Sequence, residues 1–391
     1  MKRVAIVTGT RAEYGLLRPL IFAIREDIKF ELKLLVTGMH LMPEFGNTYK
    51  EIEADGLVID VKIEDGLDGD SAKSIAKSMG RALIQYADVF DEMKPDIVIV
   101  LGDRTEILAA VTAAMVASIP IAHIHGGETT EGAYDEFIRH AITKMSHFHF
   151  TSTESYKKRI IQMGEHPSRV FNVGAIGIDS IKKLKLLSKK QIEDYIGVKF
   201  NKKSVVVTFH PVTLENFTAE QQFRDLLLAL DEISDCTLIF TKANSDKGGR
   251  IINQMIDDFV NKNKHKAVGF ASLGQLRYLS TLQHVDFVIG NSSSGVLEVP
   301  YFKIPTINIG DRQKGRLMPE SVINCTPTYN EISKAIEMAQ DNEFLSRITT
   351  QENIYGDGEA TSKIMNTLRK IDFSVVQKQF YDLKNSTIER I

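Results

Sequence analysis

The stretch Ile97-Val98-Ile99-Val100-Leu101-Gly102-Asp103-Arg104-Thr105-Glu106 decides the fold class. Five aliphatic residues run without alternation, a glycine breaks the run, and a helical pattern follows. Near-continuous apolar strands separated by helices indicate a parallel sheet covered on both faces. Similar runs lie to either side, at 4–7, 32–36, 58–63, 119–124, 147–150 and 170–173, with helix-like stretches such as 16–25 and 74–92 between them. The rhythm then restarts at 205–209, 237–240, 267–270, 287–289 and 306–309. Two such series predict two Rossmann-like doubly wound α/β domains, over 1–178 and 179–365. A charged helical pattern at 366–391 is expected to pack back toward the first domain.

Length and composition narrow the function. At 391 residues, two domains are the natural division. The sequence is 43% hydrophobic and 25% charged, as in globular proteins, with a formal charge of −3. No basic excess points to nucleic acid or to a membrane surface. The N-terminus shows no leader pattern, and no apolar run approaches the length of a membrane span, so a cytoplasmic protein is expected. Cys236 and Cys325 form no motif and read as buried thiols. A phosphorylated substrate must therefore be met by local donors.

In open parallel sheets ligands sit beyond the carboxyl ends of the strands, and the polar clusters of this sequence lie there. Thr8 to Gly15 follows the first strand; its small residues suit an anion and Arg11 adds a forked donor, against the alternative of an ordinary turn. Asp103 stands where a sheet presents catalytic groups, or it caps the following helix. His123 and His125 alternate along a strand and should share one face. Gly126 and Gly127 follow, then Glu128, then Asp135 and Arg139, placed to pair along a helix. With His147 and His149 nearby, zinc is the competing reading, but imidazoles and carboxylates without thiols better suit proton transfer, and no metal is expected.

The second series carries binding chemistry. His210, fixed in an extended conformation by Pro211, can face a phosphate. Asn244 and its neighbours suit ribose or sugar hydroxyls, while Phe270 and Ser272 can hold a base. The strongest signal is Gly290-Asn291-Ser292-Ser293-Ser294-Gly295, a hydroxyl-rich turn opening a helix, which forms a nest of N–H groups for phosphate. Glu298 is placed to take both ribose hydroxyls, and Arg312 to close on a diphosphate.

These segments, with Val36 to His40, occur in an order that resembles the hydrolysing UDP-N-acetylglucosamine 2-epimerases of the sialic-acid pathway over essentially the whole chain. The resemblance implies a GT-B-like pair of domains facing across a cleft. It also implies release of UDP and an N-acetylmannosamine-type sugar, without metal or other cofactor, by a homodimer or homotetramer. Asp103 and Asp135 look like the acid/base pair, and His210 like a diphosphate ligand that assists the leaving group. Arg11, Phe270, Ser272, Ser292, Ser293, Gly295, Glu298 and Arg312 would hold UDP. His40, Arg104, His147, His149 and Asn244 would line the sugar.

One position departs from the pattern: His125 stands where some members carry glutamate. Either His125 transfers the proton, or Glu128 takes the role, or the sugar differs, as in the sister group acting on UDP-N,N′-diacetylbacillosamine. A retaining glycosyltransferase, a non-hydrolysing epimerase and an inert UDP-sugar-binding protein are the remaining alternatives.

Overall fold

The computed structural model describes residues 1–67, 71–129, 135–211, 219–243, 249–374 and 376–383. They form two compact units, 1–182 with 355–391, and 183–354. The first holds a parallel sheet of seven strands in chain order β1 (Lys2–Thr8), β2 (Phe30–Thr37), β3 (Val61–Ile63), β4 (Ile97–Leu101), β5 (Ile121–Ile124), β6 (Phe148–Thr151) and β7 (Val170–Asn172). Their spatial order is β3-β2-β1-β4-β5-β6-β7. Side chains alternate across it: Val4, Ile6, Ile97, Ile99 and Leu101 join one buried cluster, while Ala5, Val7, Val98 and Val100 join the other. Burial on both faces is why these strands read as unbroken apolar runs.

The second unit repeats the plan with β8 (Lys203–Thr208), β9 (Cys236–Thr241), β10 (Ala267–Phe270), β11 (Phe287–Gly290), β12 (Thr306–Ile309) and β13 (Val322–Cys325), arranged β10-β9-β8-β11-β12-β13. Sequence reading missed β13. This edge strand places only Val322 and Ile323 inside, with Asn324 exposed and Cys325 half-buried, too little apolar pattern to register.

In both sheets the strand order reverses beside the first strand, between β1 and β4 and between β8 and β11. Ligands of doubly wound sheets bind beyond the carboxyl ends at such a switch point. Backbone packing is tight there. Gly290 has φ +143°, and a Cβ on it would stand 1.8 Å from the Thr208 carbonyl oxygen. Only glycine lets β11 finish against β8 in this way.

The chain end differs from expectation. The last helix is Ala360–Leu368, and the described residues beyond it are not helical. It belongs to the first unit, where the expected division had left residues 355–365 with the second. The cause is Asp179: its buried carboxylate accepts hydrogen bonds from the amides of Ala360 (2.9 Å) and Thr361 (2.5 Å), satisfying the helix's first donors. Beyond it, the Tyr381 amide donates to the Gly164 carbonyl at 2.9 Å, and Phe380 covers Gly164, where a Cβ would stand 2.3 Å from the ring. Among the described residues no helix is long and apolar enough to cross a membrane.

Removing the Asp179 carboxylate should loosen this attachment. Asp179→Ala is expected to lower the unfolding free energy by about 1–2 kcal/mol, and to speed amide exchange in helix Ala360–Leu368 before the core strands. Unchanged exchange in that helix would contradict the role.

Candidate active site

At the carboxyl end of β4, Asp103 is not the cap of the helix Thr105–Val116; Arg104 occupies that position, with no side-chain cap. The Asp103 carboxylate is instead ion-paired with Arg139, a buried guanidinium from the helix Asp135–Met145. Arg139 also donates to the Glu128 carbonyl at 3.1 Å and to Glu136 at 3.3 Å. The expected Asp135–Arg139 pair is therefore replaced by Arg139–Asp103 and Arg139–Glu136, and Arg139 acts on Asp135 through its charge. Asp135 is half-buried, and loss of hydration raises its pKa despite the attraction of Arg139 and Arg104. Two carboxyl groups of unlike environment thus start or follow the same edge of the sheet.

The histidines divide. His123 is fully buried on β5, with Nε2 2.8 Å from the Gly102 carbonyl and Nδ1 3.2 Å from Thr143 Oγ1. Burial pushes its pKa down to about 3. Gly126 leaves it room, since a Cβ there would stand 2.8 Å from Nδ1. His125 lies just past the strand with φ +63°, which breaks the alternation that would have set both imidazoles on one face. Its Nε2 accepts the Ile176 amide hydrogen at 3.2 Å, so the ring proton belongs on Nδ1, 3.3 Å from Glu128 Oε1. The same oxygen accepts from Ser152 Oγ at 2.8 Å. With both ring nitrogens so engaged, His125 orients Glu128 and is poorly set to collect a proton from a substrate.

His147 and His149 are not brought to this edge. His147 precedes β6, at the amino end of the sheet; its Nδ1 accepts from the Ile121 amide (3.2 Å) and its Nε2 donates to the Val376 carbonyl (2.9 Å). His149 is buried inside the sheet, 3.2 Å from Glu165. Burial works to raise the Glu165 pKa, but hydrogen bonds from His149, Lys144 and Lys378 outweigh it and hold the carboxyl at about 2. Both imidazoles are scaffold. His40 is near the carboxyl end of β2 but buried, bonded to Thr8 Oγ1 (3.1 Å) and Thr48 Oγ1 (2.8 Å). Arg11 is exposed and pairs with Glu51 at 3.0 Å.

In the second unit, buried Asn291 clamps His210: its Oδ1 accepts the His210 amide hydrogen and its Nδ2 donates to the His210 carbonyl, each at 2.8 Å. Arg312 (3.1 Å) and Gln313 (2.9 Å) both donate to the Asn291 carbonyl, which ties the β8, β11 and β12 connections together. The helix opened by the serine turn is only Ser294–Leu297, too short for a useful dipole, so any anion there is met by individual N–H and hydroxyl groups. Ser292 and Ser293 are half-buried; Gly295 is buried because a Cβ would stand 2.7 Å from Thr306 Cγ2. Ser294 Oγ lies 2.5 Å from Glu298 Oε2 and 2.8 Å from Tyr278 Oη. With one hydroxyl proton, Ser294 donates to the carboxylate and Tyr278 donates to Ser294. Loss of hydration raises the Glu298 pKa.

Of the expected base-holding residues, Phe270 has one face stacked on Tyr195 (centroids 5.7 Å apart), and exposed Ser272 accepts from the Gly274 amide at 3.1 Å. Asn244 lies outside the described residues, as do Val212 and Thr213. A cavity of about 570 Å³ opens at the ends of β12 and β13, lined by Gly310, Asp311, Lys314 and Arg316 among others. It contains none of the expected UDP ligands. Among the described residues no group of three or more His, Cys, Asp or Glu side chains is arranged to hold a metal ion.

Asn291, Gln313, Tyr278 and Glu106 escaped the sequence reading as working residues. Asn291 sat inside the quoted turn, but its clamp on a residue 81 positions away has no local signature.

The family model for UDP-N-acetylglucosamine 2-epimerase matches residues 22–369. This chain belongs to that family. It is 42% identical over 384 residues, 98% of this chain and 99% of the relative, to the GDP/UDP-N,N′-diacetylbacillosamine 2-epimerase (hydrolyzing) of Campylobacter jejuni. It is 41% identical, over 99% of each chain, to polysialic acid biosynthesis protein P7 of Escherichia coli. The fold matches that of the UDP-GlcNAc 2-epimerase from Neisseria meningitidis, solved bound to UDP-GlcNAc, with TM-score 0.79 and 21% identity over 95% of this chain and 100% of that one. Each unit is thus a Rossmann-like domain, and the fold is the GT-B-like one of this family.

Burial of neutral imidazoles in this epimerase makes stability depend on pH. His40 has its pKa lowered from 6.5 to about 4, so the unfolded chain binds the extra proton first. The stability is fully present above pH 6.5 and is lost as pH falls toward 4, on the order of 3 kcal/mol for this group. Urea unfolding at pH 7 and pH 4.5 should show the loss, and His40→Gln should flatten it. An equal slope in both proteins would contradict this account.

Proposed function

We propose that this protein is a hydrolysing 2-epimerase that converts UDP-N-acetylglucosamine and water to N-acetylmannosamine and UDP, feeding sialic-acid or related nonulosonic-acid synthesis. The observation that carries the reading is the contrast between two carboxyl groups: Asp103 ion-paired with buried Arg139, and Asp135 with its pKa raised by burial. Environments that push two acids apart assign their roles. Asp103 acts as the base and takes the C2 proton. The C2–H electron pair forms the C1=C2 bond, the C1–O bond breaks, and its electrons leave on the β-phosphate oxygen of UDP. Water then adds its hydroxyl to C1 of the glycal, and Asp135 delivers its proton to C2 from the opposite face. The proton released by the water restores Asp135, and Asp103 gives up the C2 proton to solvent.

His210, Ser292, Ser293 and Arg312 meet the diphosphate in this reading, and Glu298 the ribose. Donors fixed beforehand matter because charge develops on the leaving group; losing one typically costs roughly 10²–10³ in rate. The hydrogen bonds that lock His210, Arg312 and Glu298 in place support this assignment. Release of free UDP is supported by the hydrolysing relative at 42% identity. That same likeness favours one second reading, in which the substrate is UDP-N,N′-diacetylbacillosamine.

The test is incubation with each UDP-sugar in D₂O with EDTA, followed by proton NMR. Free UDP with C2-deuterated N-acetylmannosamine from UDP-N-acetylglucosamine is the expected result; turnover of only the diacetamido sugar would move the substrate assignment. Asp103→Asn should abolish turnover while UDP affinity stays within a few-fold, and unchanged kcat would sink Asp103 as base. Arg312→Ala should weaken UDP binding by about tenfold or more in calorimetry, the effect of losing a charge-assisted donor; unaltered binding would remove it from the site.

A further inference from the structure

Among the buried carboxylates of the first unit that the steps above leave unused are Glu106 and Glu13. Glu106 is 5% exposed, and its Oε1 accepts from Arg104 Nε at 2.6 Å while Oε2 accepts from Thr105 Oγ1 at 3.1 Å. It lies against the ends of β1 and β2. A Cβ on Gly9 would stand 2.4 Å from Oε1, and one on Gly38 3.0 Å, so both connections carry glycine where the carboxylate needs room. Glu13, buried in the helix Arg11–Glu26, accepts the amide hydrogens of Gly9 (2.7 Å) and Thr10 (3.1 Å) through Oε2, and its Oε1 has no hydrogen-bond partner. Burial first, and then the charge of Glu106, push its pKa up to about 8. Of the two, Glu13 is the one pushed toward its neutral form, and Glu106 is ion-paired with Arg104.

Arg104 follows Asp103 in the chain and keeps 40% of its side chain exposed; its guanidinium is anchored at Nε by Glu106 and also feels the charge of Asp135. Its Nη2 meets Met39 Sδ at 3.5 Å. With its charge balanced at close range by Glu106, Arg104 is better suited to donate to an uncharged oxygen than to hold a phosphate.

We infer that Glu106 is a positioning residue, which fixes the Arg104 guanidinium so that it donates to an uncharged oxygen of the N-acetylhexosamine. The inference rests on the proposed substrate class. Orientation of a planar, multi-donor cation by a buried carboxylate is a role that neither lysine at 104 nor an amide at 106 reproduces.

The readout is the part of binding that depends on the sugar. In an Asp103→Asn background, which consumes no substrate, calorimetry gives the ratio of the Kd for UDP to the Kd for UDP-N-acetylglucosamine. Adding Glu106→Gln should lower this ratio about tenfold or more, as should Arg104→Met, with the Kd for UDP itself within twofold. Combining both should lower it no further than Arg104→Met alone, because one acts through the other. A ratio that Glu106→Gln leaves unchanged overturns the inference, and so do effects that multiply in full. Should Glu106→Gln fail to fold, Glu106→Asp keeps the charge but withdraws it from Arg104 and should lower the ratio; an unchanged ratio there is equally fatal. Release of UDP by the unmodified enzyme is measured separately, so a failure of the proposed reaction is not confused with a failure of this contact.

Discussion

Between β1 and β4, and again between β8 and β11, neighbouring strands send their connections to opposite faces of the sheet. No crossover covers the gap this leaves at the carboxyl edge. The residues proposed to act are placed by that constraint. Asp103 and Arg104 leave β4 on one side of the first gap, and the Gly9 turn leaves β1 on the other. His210 leaves β8 and Asn291 leaves β11 across the second. Polar side chains at such a point have few backbone neighbours to satisfy them, so they must satisfy one another.

They do so in two different ways. In the first unit the solution is ionic: Arg139 to Asp103 and Glu136, Arg104 to Glu106, while burial, and then the charge of Glu106, raise the pKa of Glu13. In the second unit the solution is largely a hydrogen-bond lattice through neutral groups. The Asn291 amide and carbonyl link His210, Arg312 and Gln313, and a Tyr278–Ser294–Glu298 chain orients the carboxylate. Acid/base chemistry needs titratable groups held at different proton affinities, whereas phosphate recognition needs donors that do not move. The proposed reaction draws on the two units accordingly.

Glycine serves both. At Gly290 the strand end itself demands it, and at Gly9 a side chain from a different element fills the space a Cβ would occupy. A single sequence sees the same letter in both places and cannot separate a backbone requirement from a packing requirement.

The sequence by itself determined the strands and the residues that follow them. Unbroken runs such as 97–101 require burial on both faces, and polar residues after such runs have only the carboxyl edge to occupy. That logic placed Asp103, His210, the serine turn, Glu298 and Arg312 at strand ends without coordinates, and it failed where burial was slight, as at β13, or where a run ended one residue early, as at His125. Only the tertiary structure decided which polar residues stand at the carboxyl edge and which are held elsewhere. His147 and His149 share composition with the site, yet one lies at the amino end of its strand and the other inside the sheet, bound to Val376 and Glu165. Arg139 was read as the partner of Asp135, four positions away, and was taken instead by Asp103, 36 positions away. A helical spacing specifies which residues are neighbours along one element. Which charge wins a buried guanidinium depends on the element that packs against it, and that distance is absent from the chain until it folds.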